Sequence, residues 1–174
     1  MYLLKTNDPK DLTGKAAQLF AMFPPQISPP EPLMLMTASP GMVGVQAEAI
    51  GFFRSHQDLD FPMLAAIRLL AARHLDAQAC IDFNDGLLRA AGLAEDDLAA
   101  LPGPVEGNPG GGFTPEQRAL IAFALKTLRA PKSVSAADVD DLRAMGWTDS
   151  TIYDAAAHAA SMQVPATMMA AFKR

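Results

Sequence analysis

One cysteine, three histidines and a scatter of carboxylates are the residues that could do chemistry in this sequence, and Cys80 comes first among them. It stands near the predicted start of a helix. The positive end of a helix dipole favours thiolate, the nucleophilic form of a thiol. Asp76 and Asn84 lie four residues to either side of it, so on a continuous helix all three share a face. Asn84 could hydrogen-bond the thiol, whereas Asp76 opposes thiolate formation unless its carboxylate caps the helix. The plainer alternative is that Cys80 is a small buried apolar residue. His56, His74 and His158 lack the i, i+4 spacing of a metal-binding pair. His74 reaches the thiol only if the chain turns at Asp76, and His158 sits on an alanine-rich helix that faces the core or a subunit contact. No serine lies in a GxSxG elbow. The pairs Asp96–Asp97 and Asp140–Asp141 read as solvated helix faces.

These residues must be positioned by helices. Of the 174 residues, 32 are alanine, while valine and isoleucine together number 12. Alanine is the best helix former and β-branched residues favour strands, so the expected class is all-α, a compact bundle of short helices. A single domain spanning 1–174 is expected, with a core of about 60–165 behind an N-terminal helical segment of 1–59. The lone cysteine excludes an intramolecular disulfide and a structural zinc site built on several thiolates. No metal or cofactor is expected. A net charge of -5 and a pI near 5.0 give a nucleic-acid groove no electrostatic support. The N-terminus, MYLLKTNDPK, lacks a secretory signal. The most apolar stretch, Phe61 to Ala72, is interrupted by Arg68 and falls short of the roughly 20 residues of a spanning helix. The expectation is a cytoplasmic protein with no membrane contact.

Local signals set the helix boundaries. Asp8-Pro9 starts a helix to about Met22, which stops before Pro24-Pro25; Gln26 to Pro32 is an extended loop; Leu33 to Thr37 is a short helix. Ser39-Pro40 and Phe61-Pro62 open two more, the second with Leu64, Ile67, Ala71 and His74 on one face. Asp76 interrupts that segment and caps the next, making Ala77 its first residue and Cys80 its fourth, with Gly92 at the far end. Ala94 to Ala100 is a turn of helix, and Leu101 to Gly112 is a connector. Thr114-Pro115-Glu116-Gln117 is a capping-box start, Ser135 starts a short helix ending at Gly146, and Thr148 starts the last long one. Pro165 breaks or kinks it before an apolar tail, Ala166 to Phe172, which packs on its own domain or forms a subunit interface.

LAAIRLLAARHLDAQACIDFN resembles the core of the alkylhydroperoxidase-D-like, or carboxymuconolactone decarboxylase-like, superfamily. FTPEQRALIAFALKTLRAPKSVSAADVDDLRAMGWTDSTIYDAAAHAA is similar to the C-terminal half of its peroxidase-related branch. The resemblance implies the family's helical bundle and a homo-oligomer: dimer, trimer or hexamer. It also implies a site made of a glutamate, a Cys-x-x-Cys pair cycled through a disulfide, and a histidine that relays protons with the glutamate. Cys80 matches the second cysteine, but Ala77 stands at the first, Asn84 at the histidine and Ala65 at the glutamate. The two-cysteine cycle cannot run on these residues.

Two functional classes follow. One is a member that keeps the fold with little or no peroxidase activity, serving as a scaffold or binding a small molecule. The other is a one-cysteine peroxidase in which Cys80 attacks a peroxide and an external thiol restores it. A different reaction in the same pocket would have to recruit Arg68, His74 or His158.

Overall fold

A computed structural model describes residues 1–23, 28–93 and 112–174 of the chain. Among these residues the regular structure is helical, with a single isolated bridge between Tyr2 and Lys173. The helices are α1 (Gly14–Ala21), α2 (Glu31–Met36), α3 (Pro40–Arg54), α4 (Phe61–His74), α5 (Gln78–Ala90), α6 (Pro115–Arg129), α7 (Ala136–Ala144), α8 (Asp149–Ser161) and α9 (Gln163–Phe172). No helix is long and apolar enough to cross a membrane, and no group of three or more His, Cys, Asp or Glu could hold a metal ion, both among the described residues.

Start signals written in the sequence are realised as hydrogen bonds. Asp60 caps α4 by accepting from Met63 N–H at 2.9 Å. Thr114 and Gln117 form a reciprocal capping box at α6, Ser135 and Asp138 form another at α7, and Thr148 caps α8. Gly146 closes α7 at φ +96°, a left-handed conformation that costs glycine nothing.

Other boundaries differ from expectation. The helix expected from Asp8 to Met22 is split: a 3-10 turn, Pro9–Asp11, ends at extended Leu12, and α1 begins only at Gly14. Leu12 is buried, so its side chain claims a core position that a continuous helix would not supply. The expected loop to Pro32 ends early, because α2 starts at Glu31 with Pro32 in its first turn, where a missing N–H costs no bond. The final break falls at Met162 rather than Pro165, which sits in the first turn of α9. The expected stop at Pro24-Pro25, part of the expected loop, the helix at 94–100 and nearly all of the connector at 101–112 lie outside the described residues.

Two compact units are formed. The first comprises Met1–His56 and Val164–Arg174. Its core joins Leu12, Ala16, Leu19, Leu33 and Val43, and its terminal segments meet where Leu3 N–H donates to the Phe172 carbonyl at 2.8 Å.

The second unit, Gln57–Gln163, contains α4 to α8 and is built around α4. Helix α4 packs against α5, α6 and α8. It is therefore buried on every side, not on one stripe: Met63 to Ile67 and Leu69 to Ala72 are all buried. Alanines make this possible. Ala65, Ala66, Ala71 and Ala72 on α4, Ala124 on α6, and Ala155 and Ala159 on α8 are fully buried, and small side chains let helices approach closely. Polar ties fix the ends, with Thr151 Oγ1 donating to Asp58 at 2.6 Å and Gln117 Nε2 to Asp60 at 3.3 Å.

Candidate functional site around Cys80 and Arg68

The corner between α4 and α5 presents Cys80. Leu75 closes α4, and Asp76 takes φ +51°. The N–H of Ala77 reaches back to the Ala72 carbonyl at 2.9 Å, and that of Asp76 to Arg73 at 3.3 Å. These are the paired bonds of a Schellman helix end, with aspartate in the place glycine usually fills. The carbonyl of Ala77 then accepts from Cys80 at 2.9 Å and Ile81 at 3.0 Å. One residue thus ends one helix and begins the next.

This geometry corrects three expectations. Asp76 does not cap α5: its side chain is exposed, and the capping position belongs to Ala77, which carries no acceptor. Cys80 is the third helical residue, not the fourth. The helix is not continuous through residue 76, so Asp76 does not join the face of Cys80 and Asn84.

Cys80 is 6% exposed and packs in a cluster with Ala71, Ala72 and Met162, flanked by Leu75, Ala77, Ile81 and Leu128. Burial pushes its thiol above the ordinary value. An apolar surrounding disfavours the charged form. The position expected to favour thiolate disfavours it. Met162, at the end of α8, belongs to this cluster.

Next to the thiol runs a polar chain, buried at Asn84 and His158 and partly exposed at Arg68. Asn84, 2% exposed, donates from Nδ2 to the Cys80 carbonyl at 2.8 Å. Its Oδ1 accepts from Arg68 Nε at 2.8 Å. Both ends of the amide are therefore committed, and neither goes to the thiol. Arg68 Nη1 lies 3.1 Å from His158 Nε2. A guanidinium can only donate, so Nε2 accepts and the imidazole proton sits on Nδ1. Burial, and then the Arg68 charge, push His158 down to about 3, although the Leu64 backbone pulls the other way. His158 is thus a neutral acceptor facing the core, unsuited to proton relay near neutrality. Burial also lowers Arg68 to about 10, which leaves it charged at neutral pH.

The remaining candidates are dispersed or inert. Ala65 is fully buried on α4 and offers no polar atom. Ala77 is half-buried against the Cys80 cluster. His74 is exposed at the last residue of α4. The fold therefore gathers Cys80, Asn84, Arg68 and His158, and leaves His74 and Asp76 outside. The residues were visible in the sequence, but their connection was not. Arg68 meets Asn84 across 16 positions and His158 across 90, where no local spacing rule reaches.

No family model and no curated protein matches the sequence. Solved structures do match. The chain is similar to the alkylhydroperoxidase AhpD core of an uncharacterized peroxidase-related protein from Ralstonia eutropha, with a TM-score of 0.80 at 17% identity, covering 98% of this chain and 90% of that one. It is also similar to an uncharacterized peroxidase-related protein from a Silicibacter species, with a TM-score of 0.76 at 16% identity, covering 97% and 92%. Both likenesses span nearly the whole of each chain. The chain therefore has the fold of the alkylhydroperoxidase AhpD core.

Proposed function

We propose that this chain keeps the AhpD-like fold without the two-cysteine peroxidase cycle, and that its pocket binds a small molecule rather than turning over peroxide. One observation carries the reading: the Cys80 thiol is buried and pushed up in pKa, with Ala77 where a partner thiol would stand. A peroxidatic cysteine works as thiolate, and a disulfide needs a second sulfur. Asn84 supports the same reading, since a neutral amide with both ends bonded relays no proton. The test is peroxide consumption with an added small thiol, comparing the wild type with Cys80→Ser. Equal rates are expected. A wild-type rate tenfold above the variant overturns the proposal.

The one-cysteine peroxidase remains the second reading, because Cys80 does lie in the first turn of α5, where the dipole assists a thiolate. In that reaction the thiolate attacks the O–O bond of a hydroperoxide, leaving a sulfenic acid and an alcohol, and two equivalents of external thiol then restore the cysteine, departing as their own disulfide while the oxygen leaves as water. The assay above decides between the two.

A homo-oligomer belongs to the same proposal. Met42, Val45, Ala49 and Phe52 form an exposed apolar stripe along α3, and Val164 and Met168 are exposed on α9. Sedimentation at micromolar concentration checks it, and a monomer would count against it. A cytoplasmic setting suits the single thiol.

A further inference from the structure

Arg68 is the one residue between Met63 and Ala72 that interrupts a run of buried apolar side chains. Arg68 itself is partly exposed, so its charge gives up much of its hydration while its free N–H groups stay within reach of solvent. Its contacts are Asn84 Oδ1 at 2.8 Å and His158 Nε2 at 3.1 Å, and both are neutral. Among the described residues, no carboxylate stands at ion-pair distance from it. Arg143 shows the usual arrangement, with Asp140 and Asp149 both bonded to it.

The neutral contacts nevertheless fix the guanidinium in place. Asn84 is itself held by the Cys80 carbonyl. His158, neutral and proton-bearing on Nδ1, can only accept at Nε2. Of the five N–H groups of an arginine, these two contacts use two. Both protons on Nη2, and one on Nη1, have no partner among the described residues. A held, planar, donor-only cation with spare N–H groups and no counter-charge is complementary to a planar oxyanion.

We propose that Arg68 anchors a carboxylate-binding site, its guanidinium receiving a small organic acid in place of the protein carboxylate that it lacks. An organic anion fits better than a strongly hydrated inorganic one, because the adjoining Cys80 cluster is apolar. The proposal rests on the reading of this region as a binding pocket. It can still fail separately, because peroxide turnover tests that reading and anion titration tests this one.

The experiment titrates the full chain with acetate, butyrate and benzoate, and with inorganic phosphate for comparison. Calorimetry and the ligand dependence of Tm are the readouts. Saturable binding of at least one carboxylate is expected, with phosphate at least tenfold weaker. Arg68→Gln should weaken that carboxylate at least tenfold. Arg68→Lys, which keeps the charge and loses the fork, should fall between the two. Should the Gln variant fail to fold, the Lys variant decides. No saturable binding by any carboxylate, equal binding of phosphate, or unchanged affinity in the folded variants overturns the proposal.

Discussion

Arg68 and Arg143 belong to the same compact unit and are handled in opposite ways. Arg143 is exposed on α7. It makes a fork with Asp149, through Nε at 2.7 Å and Nη2 at 2.9 Å, while Nη1 reaches Asp140 at 2.8 Å. Its partners pull its pKa upward and those of Asp149 downward. Arg68 has two neutral partners, and its pKa is lowered. The better-paired arginine is the one water would have solvated anyway. Exposed pairs contribute little, because water screens them and ordering long side chains costs entropy. The half-buried cation is where pairing would matter more, and there the chain supplies only an amide and an imidazole. A charge kept under that penalty, among residues chosen for close packing, marks a place where stability has not been maximised.

The contrast can be broken at its histidine first. Folding holds His158 neutral, with a pKa near 3, while the unfolded chain titrates near the ordinary value of 6.5. Below pH 6.5 the unfolded chain therefore binds one proton more. The stability that this provides is complete above 6.5 and is lost as pH falls toward 3, at up to about 1.4 kcal/mol per pH unit. Denaturant titrations at pH 6.5 and pH 5 should differ by about 2 kcal/mol from this residue. His158→Gln should remove that part of the difference; an unchanged pH dependence in a folded variant would show that Arg68 does not hold a neutral acceptor.

Asn84→Ala comes next. It removes a half-buried bond from the charged guanidinium and a buried one to the Cys80 carbonyl. A loss of about 1.5 kcal/mol is expected from denaturant midpoints. A loss below about 0.5 kcal/mol would mean that Arg68 finds equivalent partners in water, and would end its status as a held cation.

Arg143→Ala should have the smallest effect of the three. Its Tm change should be slight in dilute buffer and should shrink further in molar salt. An effect larger than that of Asn84→Ala, persisting in salt, would reverse the ranking of the two arginines.

What was legible in the sequence follows the range of the interactions. Thr114 with Gln117, Ser135 with Asp138, and the glycine after α7 act within one turn, and each stands where its spacing places it. The helical class was legible from alanine, and alanine also explains how α4 comes to be enclosed on all sides. Breaks set by tertiary demand were not legible. Leu12 leaves the helical path to enter a core; the break at Asp76 stands where the sequence placed it, but its left-handed turn starts α5 one residue late. At the site, Cys80 was visible as a residue and its environment was not. A helix start predicts a favoured thiolate, but the burial that opposes it comes from Ala71, Ala72 and Met162, the last of them 82 positions away.

Burial of the only thiol also makes the protein its own reporter of fluctuation. With Cys80 only 6% exposed, a thiol reagent in solution gains ready access when the packing around it opens. The labelling rate under native conditions, divided by the rate for an unstructured thiol, is then the equilibrium constant of that opening. A single mass-resolved time course would give the local free energy at the heart of the second unit, with no probe to introduce and no other cysteine to confuse the signal.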